Sequence, residues 1–211
     1  MGSRIMHLII ADKVSKRLDM SDTREVLLGG IAPDAAFGRA RKDASHFFRG
    51  DLDDGTRFVD YHAFKEKYPQ AVEDAFGLGY FIHLIADDVW LKSIYFKNDL
   101  KRRVDRDPTL LERWHSDFRK MNSRLLEQYG ANDLQEILAG AELSKNPVEE
   151  IRKDDLRLFK EETLGDFIYS KDELVKELEV YSWEEVLSYI EEAADKAAEE
   201  CALLLKDSAR R

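Results

Sequence analysis

Cysteine is nearly absent. Cys201 is the single thiol in 211 residues, so no internal disulfide can form, and its apolar, helix-spaced neighbours mark it as a small buried hydrophobe. Proline is scarce at 4 and glycine modest at 11, which leaves room for long helices. No apolar run is long enough to span a membrane. The opening "MGSRIMHLIIADKV" has no secretory layout, since its apolar run is short and interrupted by charge. Met6 stands where a myristoylation signal needs Ser or Thr. The cytoplasm is therefore the expected compartment. Positive charge is in deficit: the net charge is -10, so the overall field does not drive binding to nucleic acid or to an anionic membrane. Alternating apolar and polar stretches are missing too, which removes the signature of a β-sheet protein.

What remains is a charge-rich chain with helical periodicity, long enough for one domain with a substantial core. The expectation is an all-α single domain over 1–211, a helical bundle around a long buried central helix. Ile5 to Leu18 reads as a helix with His7, Ile10, Ala11, Val14 and Leu18 on one face. A short helix over Thr23 to Ile31 starts after Ser21 or Asp22 as cap and ends in "GGIAPDAAFG". The stretch to about Tyr68 reads as irregular, with part of "VDYHAFKEKY" helical. The central helix is expected from Pro69 to about Asn98, or ~45 Å. Pro108 to Gln128 is another, stopped by Gly130. Between 132 and 180 two or three short helices are expected, with turns near Asn146-Pro147 and Gly165. A final helix opens with Ser182 and Glu185 in capping-box spacing.

The chemistry gathers in "GYFIHLIADDVW", residues 79 to 90. His83 and Asp87 are four apart, about 40° around a helix, so they face one way, whereas Asp88 is turned about 140° from His83. An imidazole and a carboxylate at this spacing can share a metal ion. They can equally form a buried His–Asp hydrogen bond or ion pair. His7 on the buried face of the first helix, Asp34 in the kinked "APDA" loop and His46 in "KDASHFF" each have an ordinary structural role open to them. Together the five supply three histidines and two carboxylates, enough for one zinc ion and part of a second. Arg39, Arg41, Lys42 and Arg49 cluster near His46; they form either a solvated face or a clamp for a phosphate group. His62 with Glu66, and His115, are weaker candidates.

These segments taken in order resemble a known family. "IMHLIIADKV", "LGGIAPDAAF", "KDASHF" and "GYFIHLIADDVW" occur in the order seen in the zinc-dependent phospholipase C family, whose helical fold is shared with single-strand-specific zinc nucleases. The chain looks most like small bacterial cytoplasmic members, over roughly residues 4 to 96. The resemblance implies metal-ligand roles for His7, Asp34, His46, His83 and Asp87, with the aspartate of the central helix able to bridge two ions. It implies none for Asp88. The chain departs from the secreted enzymes by opening with "MGSRIM" instead of a metal-binding tryptophan. After Asp87 only His115 remains, with Arg119 four residues on in place of a His-x-x-x-Glu set. One or two ions are thus implied, not three.

The functional expectation is metal-dependent hydrolysis of a phosphate ester, phosphodiesterase- or phospholipase C-like. Zinc is the expected metal, with manganese or iron compatible with the same ligand types. Asp34 is the candidate general base or a plain ligand, and Arg39 and Lys42 are candidates for holding an anionic phosphoester, whether a small molecule or a lipid. Two alternatives stand beside it. One is a helical binding protein with a structural metal or none. The other is an HD-type phosphohydrolase, disfavoured because the sequence contains no His-Asp dipeptide.

Overall fold

The computed structural model describes residues 2–20, 22–142 and 148–208, with side-chain detail to Lys206. Ser3 opens α1 (Arg4–Arg17): its hydroxyl accepts from the Met6 amide at 3.2 Å. Residues 5 to 11 of α1 are buried on every side, so the helix enters the core at its first turn. The one-sided stripe expected of it holds only toward its end, where Val14 is buried and Lys16 and Arg17 are exposed. α2 (Arg24–Ile31) follows; Ser21, one of its two expected caps, lies outside the described residues, and the Asp22 carboxylate accepts from the Arg24 amide at 3.0 Å. The helix tightens into a 3₁₀ turn, Ala32–Ala35, whose early Pro33 has no N–H to lose.

The segment expected to be irregular contains α3 (Arg39–Ser45), an antiparallel pair of two-residue strands, β1 (Phe48–Arg49) and β2 (Phe58–Val59), and α4 (Tyr61–Lys67). The central helix α5 (Ala75–Trp90) begins six residues later than Pro69 suggests. The Asp74 carboxylate accepts from the Gly77 amide at 2.7 Å, a stronger start signal than proline alone, and Ala71–Glu73 forms a separate 3₁₀ turn. Beyond Trp90 the helix loosens into a π-turn, Leu91–Phe96. Then come α6 (Leu100–Arg106), which the sequence reading missed, α7 (Leu110–Tyr129), α8 (Leu134–Ala139), α9 (Lys153–Gly165) and α10 (Trp183–Ser208). Gly130, in the left-handed region at φ 58°, stops α7. The Asn146-Pro147 turn falls outside the described residues. The capping box of α10 is formed: the Ser182 amide donates to Glu185 and the Glu185 amide to the Ser182 hydroxyl, each at 3.1 Å. The fold is all-α, and no helix among the described residues is long and apolar enough to cross a membrane.

One hydrophobic cluster runs from α1 to α10 with α5 through its middle. α5 packs on α2, α10 and α1. Against α2 the contact is backbone to backbone. A Cβ on Gly79 would lie 2.1 Å from the Val26 carbonyl oxygen, and one on Gly29 would lie 2.0 Å from that of Phe76. Only glycine permits this approach. α7 is fixed by Asp117, a fully buried carboxylate that accepts from the Glu179 amide at 2.9 Å and the Val180 amide at 2.7 Å. Lys120 neutralises it from one side at 3.3 Å.

Candidate metal centre

The glycine seam sets the first candidate ligand. With α2 pressed onto α5, the His83 Nδ1–H donates to the Gly30 carbonyl at 2.8 Å. That bond fixes the tautomer and leaves Nε2 with a free lone pair. His46, at the end of α3, is held in the same way: its Nδ1 lies 2.8 Å from the Lys42 carbonyl. Ser45 ties this corner together by donating to the Pro33 carbonyl at 2.9 Å, while Tyr80 donates to the Ser45 carbonyl at 2.6 Å. The turn that carries Asp34 is thus anchored to the helix that carries His46.

The consequence is that the two Nε2 atoms, of His46 and His83, lie 3.4 Å apart. Each Nδ1 has its acceptor, so both Nε2 atoms present lone pairs and neither has a proton to offer the other. Carboxylates converge on the same point. Asp34 is 3.4 Å and Asp87 3.5 Å from His46 Nε2; Asp87 is also 3.5 Å from His7 Nε2 and 3.8 Å from His83 Nε2. These distances are long for hydrogen bonds, which run about 2.7–3.2 Å. All but the 3.8 Å spacing of His83 and Asp87 match instead the edge of a tetrahedron around zinc, about 3.3–3.5 Å for ligands ~2.0–2.1 Å from the ion. The donors form two overlapping groups, His7–His83–Asp87 and Asp34–His46–His83, which share His83. All five residues singled out in the sequence therefore meet, brought from α1, the 3₁₀ turn, α3 and α5. Each of the two groups could hold a metal ion.

Burial shapes the electrostatics. His7, His46, His83 and Asp87 are all essentially inaccessible to solvent. The His7 ring stacks on that of His83, centroids 3.8 Å apart. Burial first, then the neighbouring His83, pushes the pKa of His7 down to about 3. Burial likewise holds His83 well below the ordinary range. Both rings are neutral at pH 7, the form that binds metal. For Asp34, burial alone would raise the carboxyl, but the ammonium of Lys42, 2.9 Å away, keeps it well below the usual range.

The remaining candidates separate clearly. Lys42 reaches the centre through Asp34. Arg39 is exposed at the start of α3 and is not among the residues that line the cavity described below. Arg41 pairs with Asp155 on α9 at 2.7 Å and Arg49 with Asp60 at 3.6 Å. His62 and Glu66 are exposed on α4, outside both ligand groups. Asp88 points away from the centre, where helix geometry sends it. It takes Lys92 at 2.6 Å and Lys196 at 3.6 Å, and accepts from the Val59 amide at 3.4 Å. A cavity of about 390 Å³ opens on the Asp34–Lys42 side, with Trp114, His115, Phe118, Arg119 and Asn122 of α7 across from them. His115, expected at a helix surface or a packing contact, is exposed on α7; the spacing of Trp114, Phe118 and Asn122, four apart each time, is the sequence signal for that helix face. Comparison with protein-family models, with curated proteins and with solved structures finds no match to this chain.

Proposed function

We propose that the protein is a metal-dependent phosphoester hydrolase, with His7, His46, His83, Asp87 and Asp34 holding one or two ions, zinc the best fit to the donor set. The observation that carries this is the pair of inward-facing Nε2 lone pairs, 3.4 Å apart with both Nδ1 positions already committed. Lone pairs facing each other in a buried site repel unless a cation lies between them. A bound zinc ion supplies a water of lowered pKa and polarises a phosphoryl oxygen. The chain's own groups then do the positioning. Asp34, held ionised by Lys42, is a weak base, so its part is to ligate metal and to accept a hydrogen bond from the attacking water. Lys42, nearly half exposed, keeps an ammonium at the cavity edge for the non-reacting phosphoryl oxygens. Asp87, on the helix that also presents His83, can face both ions through its two oxygens.

A closed structural metal site is less well supported, because Asp34 borders an open cavity whereas structural sites are sealed by protein ligands. The test joins metal content to turnover. Protein purified without chelator is expected to hold at least one transition-metal ion per chain and to hydrolyse bis(p-nitrophenyl) phosphate or p-nitrophenyl phosphate. Asp87→Asn should lose both properties. Equal turnover by wild type and Asp87→Asn, or no uptake of added zinc, sinks the reading.

A further inference from the structure

The cavity beside Asp34 contains features that the metal centre does not use. Two of its α7 lining residues, Trp114 and Asn122, each hold a buried polar atom, the indole nitrogen and the side-chain oxygen, with no hydrogen-bond partner among the described residues. Trp114 is 8% and Asn122 7% exposed. Two unpaired buried polar groups in residues that line one cavity are costly, at about 1–3 kcal/mol each, unless a ligand or water meets them. One is a donor, and the other accepts. Beside them, His115 and Arg119 sit four apart on α7, about 40° around the axis, and so share a face. Among the described residues Arg119 makes no ion pair, whereas Arg4, Arg17, Arg41 and Arg57 are each paired with a carboxylate. His115 is shifted below its ordinary pKa, first by partial burial, then by the positive charges of Arg119 and Lys42. Arg119 and Lys42 line the same cavity as His115. The ring of Phe118 completes the α7 side. α7 is held in register from its other face by the Asp117 clamp.

We infer that this cavity is the recognition half of the site, in which Arg119 anchors the anionic group of a small soluble phosphate ester and Trp114, Phe118 and Asn122 receive its organic part. The inference rests on the hydrolase reading for the class of ligand. The size of the cavity favours a small molecule: about 390 Å³ lies within the range of sites that enclose small ligands and takes no more of a lipid than its headgroup. Arg119 carries the guanidinium fork that matches phosphate oxygens, whereas Lys42 is shared with Asp34.

The test is made on the full chain, first with chelator and then with zinc restored, so that binding is read apart from turnover. The probe is phenyl phosphate, with benzyl alcohol as its neutral counterpart. Binding is measured by calorimetry and by the indole N–H resonance of Trp114, which should shift on addition. Arg119→Ala is expected to weaken phenyl phosphate roughly tenfold, the scale of one charge-assisted hydrogen bond. Arg119→Lys should recover part of the loss. Arg102→Ala, an exposed α6 arginine paired with Asp99, should bind as wild type does. Circular dichroism confirms that each variant folds, and Arg119→Gln replaces any that does not. Unchanged affinity in Arg119→Ala, or benzyl alcohol binding as tightly as phenyl phosphate, overturns the inference. Co-sedimentation with phosphatidic acid vesicles in the absence of any Trp114 shift would assign the site to a lipid headgroup and overturn the soluble ester. Retained, Arg119-dependent binding without zinc-dependent hydrolysis would sink the hydrolase and leave the recognition site standing.

Discussion

Lowering the pH of the chelated protein should unfold it through His7. The pKa of this ring is depressed from 6.5 to about 3 in the folded chain. The unfolded chain therefore takes up a proton that the native one refuses. Stability contributed by His7 is fully present above pH 6.5 and is lost as the pH falls toward 3. Between pH 8 and pH 5 the linkage relation gives RT ln(1 + 10^1.5), or about 2 kcal/mol. His83 is shifted the same way and adds to it. Urea unfolding followed by far-UV circular dichroism at pH 8, 6.5 and 5 measures the loss. His7→Gln removes one titrating ring, so wild type minus variant isolates its share from the many surface carboxylates. The same argument bears on metal affinity. Protons do not compete for the His7 and His83 rings until these can be protonated, so neither ring should add to the pH dependence of zinc affinity in the folded protein from pH 8 to pH 5.5. A zinc affinity whose pH dependence below 6.5 is less steep in His7→Gln than in the wild type would mean that the His7 ring titrates normally in the native state, and the buried-neutral picture would be wrong.

The other expectations are structural. Gly79→Ala puts a methyl 2.1 Å from the Val26 carbonyl oxygen; α2 and α5 must part, stability should fall by about 3 kcal/mol, and zinc binding should weaken with the His83–Gly30 bond, as thermal melts with and without zinc would show. Asp88→Asn should leave zinc content intact while Asp87→Asn abolishes it, although the two are neighbours, because Asp88 serves Lys92 and Lys196; loss of metal in both variants would contradict that division. Asp117→Asn should lower stability by about 2–3 kcal/mol, since an ionised carboxylate accepting from backbone amides is replaced by a weaker neutral acceptor, measured by the urea midpoint.

Local signals were legible in the sequence. The Ser182–Glu185 box and the Gly130 stop act within one turn of chain, and each appears where the residues put it. Competing local signals were harder to rank: Pro69 suggested a helix start, but the Asp74 cap sets it. The five candidate ligands could be picked out because His83 and Asp87 carry helical spacing and the others sit in motifs of fixed order. Their convergence was not derivable, since it depends on α2 and α5 touching through Gly29 and Gly79, fifty residues apart. The cavity was still less legible. Its walls come from the start of α1 with the two residues before it, the 3₁₀ turn, α3, α7 and the end of α9, and nothing in the local pattern of Arg119 or Asn122 says what lies opposite. The strand pair and α3 escaped notice because segments this short have no period to read.

The seam between α2 and α5 also bears on which variants the molecule tolerates. Positions 29 and 79 face backbone atoms, which cannot rotate out of the way. A side chain added at either position has no rearranged neighbour to rescue it, so these sites are closed to single-step change. Positions 115 and 119 face open space and are exposed. They can change size and charge without disturbing a packed neighbour. Descendants of this chain could therefore vary at the mouth of the cavity while the packed helices beneath stay the same.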